Sequence, residues 1–115
     1  MRDVIMLHLT ADVIIKEQLQ SVKQKEFEKC TMHCRVKNPK KLPVKWFKNG
    51  VLIDPDADPA RVTISSDEEG LQQLEISELQ MEDAAEYKCQ IGDRDTSGKL
   101  TVEEGKNLTS LLLNY

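Results

Sequence analysis

The chain has 115 residues, enough for one domain with a substantial hydrophobic core and too few for two such domains. Charged residues make up 31% of the sequence and the net charge is −4, so we expect no binding to nucleic acid or to an anionic membrane surface. No apolar run approaches the roughly 20 residues needed to cross a bilayer. Asp3, His8 and Asp12 interrupt the apolar N-terminal stretch and no small-residue cleavage site follows it, so we expect no secretory signal there.

The first predicted element is an edge strand, split into two parts, within residues 12–22. In the next stretch, "KCTMHCRV" (29–36), apolar-type residues alternate with polar ones, which predicts a strand with one buried and one solvent-exposed face. A third strand is predicted in "PVKWFKNG" (43–50), where Val44 and Trp46 share one face and the final Asn-Gly pair is typical of a turn.

Residues 61–66 and 71–76 predict two further strands, joined by a hairpin turn at Asp67–Gly70. The following stretch, "SELQMEDAAEY" (77–87), departs from the period of two. It predicts a short helical turn in which Leu79 faces inward and acidic residues face solvent.

The last two strands are predicted in "EYKCQI" (86–91) and "GKLTVE" (98–103). Seven or more short strands with polar turns and no long helix predict an all-β sandwich. We place this domain at residues 12–104, with residues 1–11 and 105–115 as linkers or extensions.

A set of widely spaced residues gives this sandwich a family resemblance. Cys34 is followed by Trp46 in "VKWFKNG" and then by "LEISELQMEDAAEYKC", which ends at Cys89. This pattern resembles the intermediate (I) set of the immunoglobulin superfamily, a Greek-key β-sandwich in which these residues lie on strands B, C and F. The resemblance is greatest to the intracellular I-set domains of giant muscle proteins such as titin, twitchin, obscurin and the myosin-binding proteins.

The resemblance also implies roles for residues around the turn between strands E and F. It implies that the Tyr87 ring is buried while its hydroxyl bonds backbone in that turn, and that Asp83 pairs with Arg61 at the start of strand D. Cys34 and Cys89 face each other across the two sheets, either as the family's disulfide or as a reduced pair against Trp46. The odd count of three cysteines leaves at least one unpaired in a monomer, which favours a reducing, intracellular location.

Cys30, His33 and Cys34 have the right side chains for zinc, but a strand places them badly. His33 points away from the cysteines, and Cys30 and Cys34 are about 13 Å apart at roughly 3.3 Å per residue. We therefore expect no metal site, and a core-facing Cys30 that behaves as a small hydrophobe. No nucleophile with a base, phosphate-binding loop or cofactor motif occurs, so we expect neither an enzyme nor a cofactor.

Basic residues are concentrated from Arg35 to Lys48, a stretch that contains no acidic residue. They are a candidate docking surface for an acidic partner: Lys37, Lys40, Lys41, Lys45 and Lys48. The alternative interpretation is that these charges serve only solubility and repulsion between the ends of neighbouring domains. In the implied topology the B–C and D–E loops share one end of the sandwich, which would be mixed in charge, while the opposite end would be strongly acidic.

We interpret the chain as a non-catalytic structural and protein-interaction module of a large sarcomeric or cytoskeletal protein. Its expected partners are filament components or neighbouring immunoglobulin or fibronectin-type domains, and it is expected to be a monomer unless its terminal extensions pair at a sheet edge. One alternative is an extracellular adhesion or receptor domain with a Cys34–Cys89 disulfide, in which Asn107 of "NLT" would be a glycosylation acceptor. The other is a regulatory domain beside a kinase.

Overall fold

The structure is a computed structural model that describes residues 13–105. Their backbone forms two short 3₁₀ turns, Pro55–Ala57 and Met81–Asp83, and nine strands. The strands are β1 (Ile14–Glu17), β2 (Val22–Lys25), β3 (Cys30–Lys37), β4 (Val44–Lys48), β5 (Val51–Leu52), β6 (Val62–Ser66), β7 (Leu71–Ile76), β8 (Ala85–Ile91) and β9 (Arg94–Glu103).

The strands form two sheets that pack face to face, as the sequence predicted. The first sheet has the order β1-β3-β7-β6 and the second has the order β2-β9-β8-β4-β5. Every neighbouring pair is antiparallel except β2 and β9, which run parallel. The prediction of an all-β sandwich is therefore confirmed, and so is the hairpin turn between β6 and β7.

The predicted split edge strand is present, but its second half lies later in the chain than expected. β1 pairs with β3, and the pairing register shifts between Ile15 and Glu17. The chain then crosses to the other sheet, where β2 pairs with β9 from Val22 to Lys25. Leu19 lies at the crossing; its side chain is buried and its backbone N–H donates to Thr96 Oγ1 at 3.0 Å. This anchor delays the second half of the strand.

The core follows from the period-two pattern of the strands. Along β3, the four residues from Cys30 to Val36 at even spacing are buried, and those between them are exposed or half-buried. The buried residues of the strands include Met32, Cys34, Trp46, Leu74, Ile76, Tyr87 and Cys89. The last strand begins at Arg94, four residues earlier than predicted, because Gly92 at φ +60° closes a tight turn after β8.

The described chain enters and leaves the sandwich at opposite ends. At one end, the turn at Gly92 lies beside the side chains of Leu42 and Val13. At the other end, the Gly105 N–H donates to Glu26 Oε1 at 3.2 Å, and the Phe27 N–H donates to the Leu79 carbonyl at 2.8 Å. Apart from Gly105, the predicted terminal extensions lie outside the described residues.

Candidate functional site

Two cysteines and a tryptophan occupy the centre of the core. Cys34 on β3 and Cys89 on β8 are fully buried, and Trp46 on β4 lies opposite Cys89 in the β4–β8 pairing. The two thiols are hydrogen-bonded to each other across the sheets, and that bond, together with burial, raises the pKa of the Cys89 thiol above its ordinary value. The fold therefore buries the two thiols beside each other, an arrangement compatible with a disulfide and with a reduced pair.

Tyr87 and Asp83 connect β8 to the turn that precedes it. The buried Tyr87 hydroxyl donates to the Asp83 carbonyl oxygen at 2.6 Å, so the one polar atom of its side chain is satisfied inside the core. Burial, followed by the negative charge of Asp83, raises the pKa of Tyr87 above its ordinary value. The hydroxyl thus stays protonated, as a donor in this position must.

The Asp83 carboxylate joins two segments of the chain, the residues just before β6 and the turn before β8. Its oxygens accept from Arg61 Nη2 at 2.8 and 3.0 Å, from Arg61 Nη1 at 3.4 Å, and from the Gln80 backbone N–H at 2.7 Å. The Arg61 guanidinium also lies 3.6 Å from the Asp58 carboxylate. Because Arg61 immediately precedes β6, this cluster joins the first sheet to the turn before β8.

Sequence reasoning named Arg61, Asp83 and Tyr87 but missed two further contacts at this end. The Gln80 backbone belongs to a capping box with Asp83, which a polar residue three positions before a carboxylate would have signalled. Lys48 donates from Nζ to the Glu82 carbonyl oxygen at 2.8 Å. No sequence signal marks that contact, because the two residues are far apart in the chain.

The five lysines of the candidate docking surface do not share one face. Lys37, Lys40 and Lys41 lie at the end of β3 and in the loop after it, whereas Lys45 is on the exposed face of β4. Lys48 lies at the opposite end of the sandwich, against the turn that contains Glu82. Lys37, Lys40 and Lys41 together form the basic loop.

The basic loop borders an open cleft of about 940 Å³, which it shares with the β6–β7 turn. The lining includes Lys37 and Lys41 on one side and Asp67, Glu68 and Glu69 on the other. The Val36 N–H donates to the Gly70 carbonyl at 2.9 Å, which holds that turn against the end of β3. This end of the sandwich is therefore mixed in charge.

Cys30 and His33 lie on opposite faces of β3. Cys30 is buried, and burial together with the charge of Asp83 raises its pKa, whereas His33 is exposed. Within residues 13–105, no three or more histidine, cysteine or carboxylate side chains are grouped so that they could hold a metal ion. His8 and Asn107 lie outside the described residues.

Comparison with known proteins accounts for this arrangement. The family model of the immunoglobulin I-set domain matches residues 13–106. The chain belongs to the immunoglobulin I-set family. Membership in this family of non-catalytic modules agrees with the expectation that the chain is not an enzyme.

Curated relatives of this I-set domain are muscle proteins. It is 41% identical over 90 residues to the muscle M-line assembly protein unc-89 of Caenorhabditis elegans, an alignment that covers 72% of this chain and 1% of that protein. It is also 41% identical over 61 residues to titin of Drosophila melanogaster. That alignment covers 53% of this chain and a share of titin that rounds to 0%. The chain thus spans a very small part of the relatives that it matches.

Solved structures of titin immunoglobulin domains share the fold. Domain I10 of titin is 28% identical, with a TM-score of 0.71 over 80% of this chain and 99% of that domain. A chain from the complex of titin M10 with an obscurin-like 1 immunoglobulin domain has a TM-score of 0.73 at 17% identity, over 83% of this chain and 97% of that one. Among the described residues, no helix is long and apolar enough to cross a membrane.

Proposed function

We propose that this I-set domain is a structural and protein-interaction module of a large sarcomeric or cytoskeletal protein, and that it works inside the cell. The observation that carries the proposal is the opposite placement of the chain's entry and exit, near Gly92 and at Gly105. A domain of this kind fits in a linear array, where it transmits tension from one neighbour to the next. The similarity to unc-89 and titin supports the same reading.

The strands that receive this tension are β2 and β9. They run parallel, with Val22 opposite Leu100 and Lys25 opposite Glu103, and β9 leads to the exit. Tension between the two ends therefore pulls these strands past each other, so that their backbone hydrogen bonds are loaded together and not one after another. Shared loading of this kind raises the force that is needed to separate the strands.

A pair of proline variants in β2 tests this load path. The Glu26 N–H donates to the Glu103 carbonyl, and bonding alternates along a parallel strand, so the Gln24 N–H faces β9 while the Lys23 N–H faces away. Gln24→Pro removes a bond of the loaded pair, and Lys23→Pro is the matched control. In single-molecule pulling from both ends, we expect a lower unfolding force for Gln24→Pro than for Lys23→Pro. Equal forces would show that β2 and β9 do not bear the load.

Location is tested by the redox state of the core cysteines. We propose that Cys34 and Cys89 are reduced, because the odd count of three cysteines and the similarity to unc-89 and titin favour an intracellular location. Free thiols trapped in protein from its native source and counted by mass spectrometry should then number three, one for each cysteine of the sequence. A count of one would contradict the intracellular proposal.

The contact between these two cysteines favours one alternative function. If Cys34 and Cys89 are oxidised in the native protein, an extracellular adhesion or receptor domain becomes the better proposal, because disulfides persist in oxidising compartments. That outcome would make Asn107 the next residue to test, by enzymatic removal of any glycan.

The basic loop is proposed as a docking surface for an acidic partner, such as a filament component or a neighbouring domain. Lys37, Lys40 and Lys41 are exposed at one end of the sandwich, apart from Lys45. Lys40→Glu combined with Lys41→Glu should weaken capture of muscle filaments and reduce its dependence on salt, whereas Lys45→Glu should change neither. Unchanged affinity in the double variant would leave these lysines with a role in solubility alone.

A further inference from the structure

The four exposed edges of the two sheets differ in how well they are protected against pairing with another strand. Native edges are commonly protected by charged side chains, proline, bulges or shortness. β1 has a register shift and carries Lys16 and Glu17, β2 carries Lys23 and Lys25, and β5 has only two residues. β6 has five residues, "VTISS", with no charge, proline or glycine and a regular register against β7.

The outer edge of β6 presents free backbone groups. The Ser77 N–H donates to the Arg61 carbonyl, which makes these two residues a hydrogen-bonded pair of the β6–β7 ladder. Because such pairs alternate, Ile64 and Ser66 direct their N–H and C=O groups away from β7. The Val62 N–H also points outward from β7, but it donates to the Asp58 carbonyl at 2.9 Å and is therefore already paired.

Acidic side chains stand at both ends of this edge. Asp56 and Asp58 precede β6, and Asp67, Glu68 and Glu69 follow it in the turn to β7. Asp67 is used locally, since its Oδ1 accepts from two backbone N–H groups of that turn. Asp58 lies 3.6 Å from the Arg61 guanidinium, which partly balances its charge, whereas Asp56, Glu68 and Glu69 are exposed. The strand between the two acidic groups is about 17 Å long at roughly 3.3 Å per residue.

We propose that the β6 edge binds an extended segment of a partner protein that has an uncharged, strand-forming centre and basic residues at both ends. The centre adds to β6 through the backbone groups of Ile64 and Ser66, and the basic ends meet the two acidic groups. This deepens the proposed function, because it names a surface and a partner class for an interaction module.

Charge also disfavours a second copy of this chain as the occupant. In an antiparallel pairing of two β6 edges, Asp56 and Asp58 of one copy would face Glu68 and Glu69 of the other. In a parallel pairing each acidic group would face its own equivalent. Like charges placed opposite each other across strands are destabilising, so both arrangements are disfavoured and a basic partner is favoured.

The test uses the whole chain, labelled with ¹⁵N, and a short synthetic peptide. The peptide has two lysines at each end of an alternating Thr-Val centre of about five residues, the length of β6. We expect the amide signals of Ile64 and Ser66 to shift and these amides to become protected from hydrogen exchange. Two control peptides should bind at least about tenfold more weakly: one with glutamates in place of the lysines, and one with N-methylated central amides.

Two sets of variants locate the interaction. Ser65→Lys puts a charge on the exposed face of β6, and Ser97→Lys makes the same change on β9 of the other sheet. Glu68→Gln combined with Glu69→Gln removes charges whose side chains make no hydrogen bond among the described residues. We expect weaker binding, by roughly threefold to tenfold, for Ser65→Lys and for the glutamine pair, and no change for Ser97→Lys.

Several results would overturn the proposal. These are unshifted Ile64 and Ser66 signals, equal binding of the N-methylated peptide, or equal binding to all variants. Protection of Ile64 that rises with protein concentration in the absence of peptide would mean that a second copy is the occupant. The thiol count and the pulling experiment do not depend on this edge, so failure of either can be told apart from failure here.

Discussion

The most informative single substitution is Asp83→Asn, because Asp83 is the acceptor that joins Arg61 to the turn before β8. The Asp83 side chain is 11% exposed, and its two oxygens accept from Arg61 and from the Gln80 N–H. Asparagine keeps the shape but turns one oxygen into an NH₂ group. Whichever oxygen is replaced, a donor then faces Arg61, and the charge that balances the guanidinium is lost.

The expected loss of stability follows from these contacts. Hydrogen bonds to charged groups contribute about 1.5–3 kcal/mol each, and the Arg61 side chain is 22% exposed and keeps the Asp58 carboxylate at 3.6 Å. We therefore expect Asp83→Asn to lower the free energy of unfolding by about 2–3 kcal/mol, equivalent to roughly 10–20 °C in Tm for a domain of this size. Urea unfolding followed by fluorescence of Trp46, the single tryptophan, measures it.

Glu82→Gln is the matched control for this substitution. Glu82 is the preceding residue and is exposed, and its backbone carbonyl, not its side chain, accepts from Lys48. We expect the control to change the free energy of unfolding by less than about 0.5 kcal/mol. If Asp83→Asn costs no more than Glu82→Gln, then solvent screens the Arg61–Asp83 pair and it does not hold the two segments together.

Three further predictions concern the turns and the buried titratable groups. Gly70→Ala should lower the free energy of unfolding by roughly 3 kcal/mol, because Gly70 has φ +95° and an added Cβ would meet the Val36 carbonyl. Its control is Gly50→Ala, at φ +81° in open space, which should lower it by only about 1 kcal/mol; urea unfolding measures both. The raised pKa of Tyr87 means that its stabilising contribution is complete below the ordinary tyrosine pKa of about 10 and is lost as the pH rises above it. Tyr87→Phe should therefore cost about 1 kcal/mol at pH 7 and make the alkaline loss of stability shallower; an unchanged slope would contradict this. Cys30→Ser should cost about 1–3 kcal/mol, because a hydroxyl would be buried at a site that is 1% exposed, and Cys30→Ala is the control that adds no polar atom.

Local sequence patterns determined much of this structure. The alternation in "KCTMHCRV" predicted which face of β3 is buried, since neighbouring side chains on a strand point to opposite sides. Asp67–Gly70 predicted the β6–β7 turn, because its Asp caps the turn and its Gly takes a positive φ. The spacing of Cys34, Trp46 and Cys89 predicted the family, which the I-set match confirms.

Other features depend on contacts between distant parts of the chain. A strand pattern indicates which residues face inward, but not which sheet edge the strand joins. The parallel pairing of β2 with β9 could therefore not be predicted from the sequence. The lysines from Lys37 to Lys48 are neighbours in sequence, yet successive residues of β4 alternate faces and the strand spans the sandwich from end to end. Lys48 therefore contacts Glu82 at the end opposite to the basic loop.

The unprotected edge of β6 shows the same division. Its composition, "VTISS" between two acidic groups, is visible in the sequence. Only the sheet order makes β6 an edge, because the same residues in a central strand would have every backbone group paired. The sequence by itself determined the strands, the core and the family, whereas the tertiary structure decided which backbone groups and which charges remain free to meet a partner.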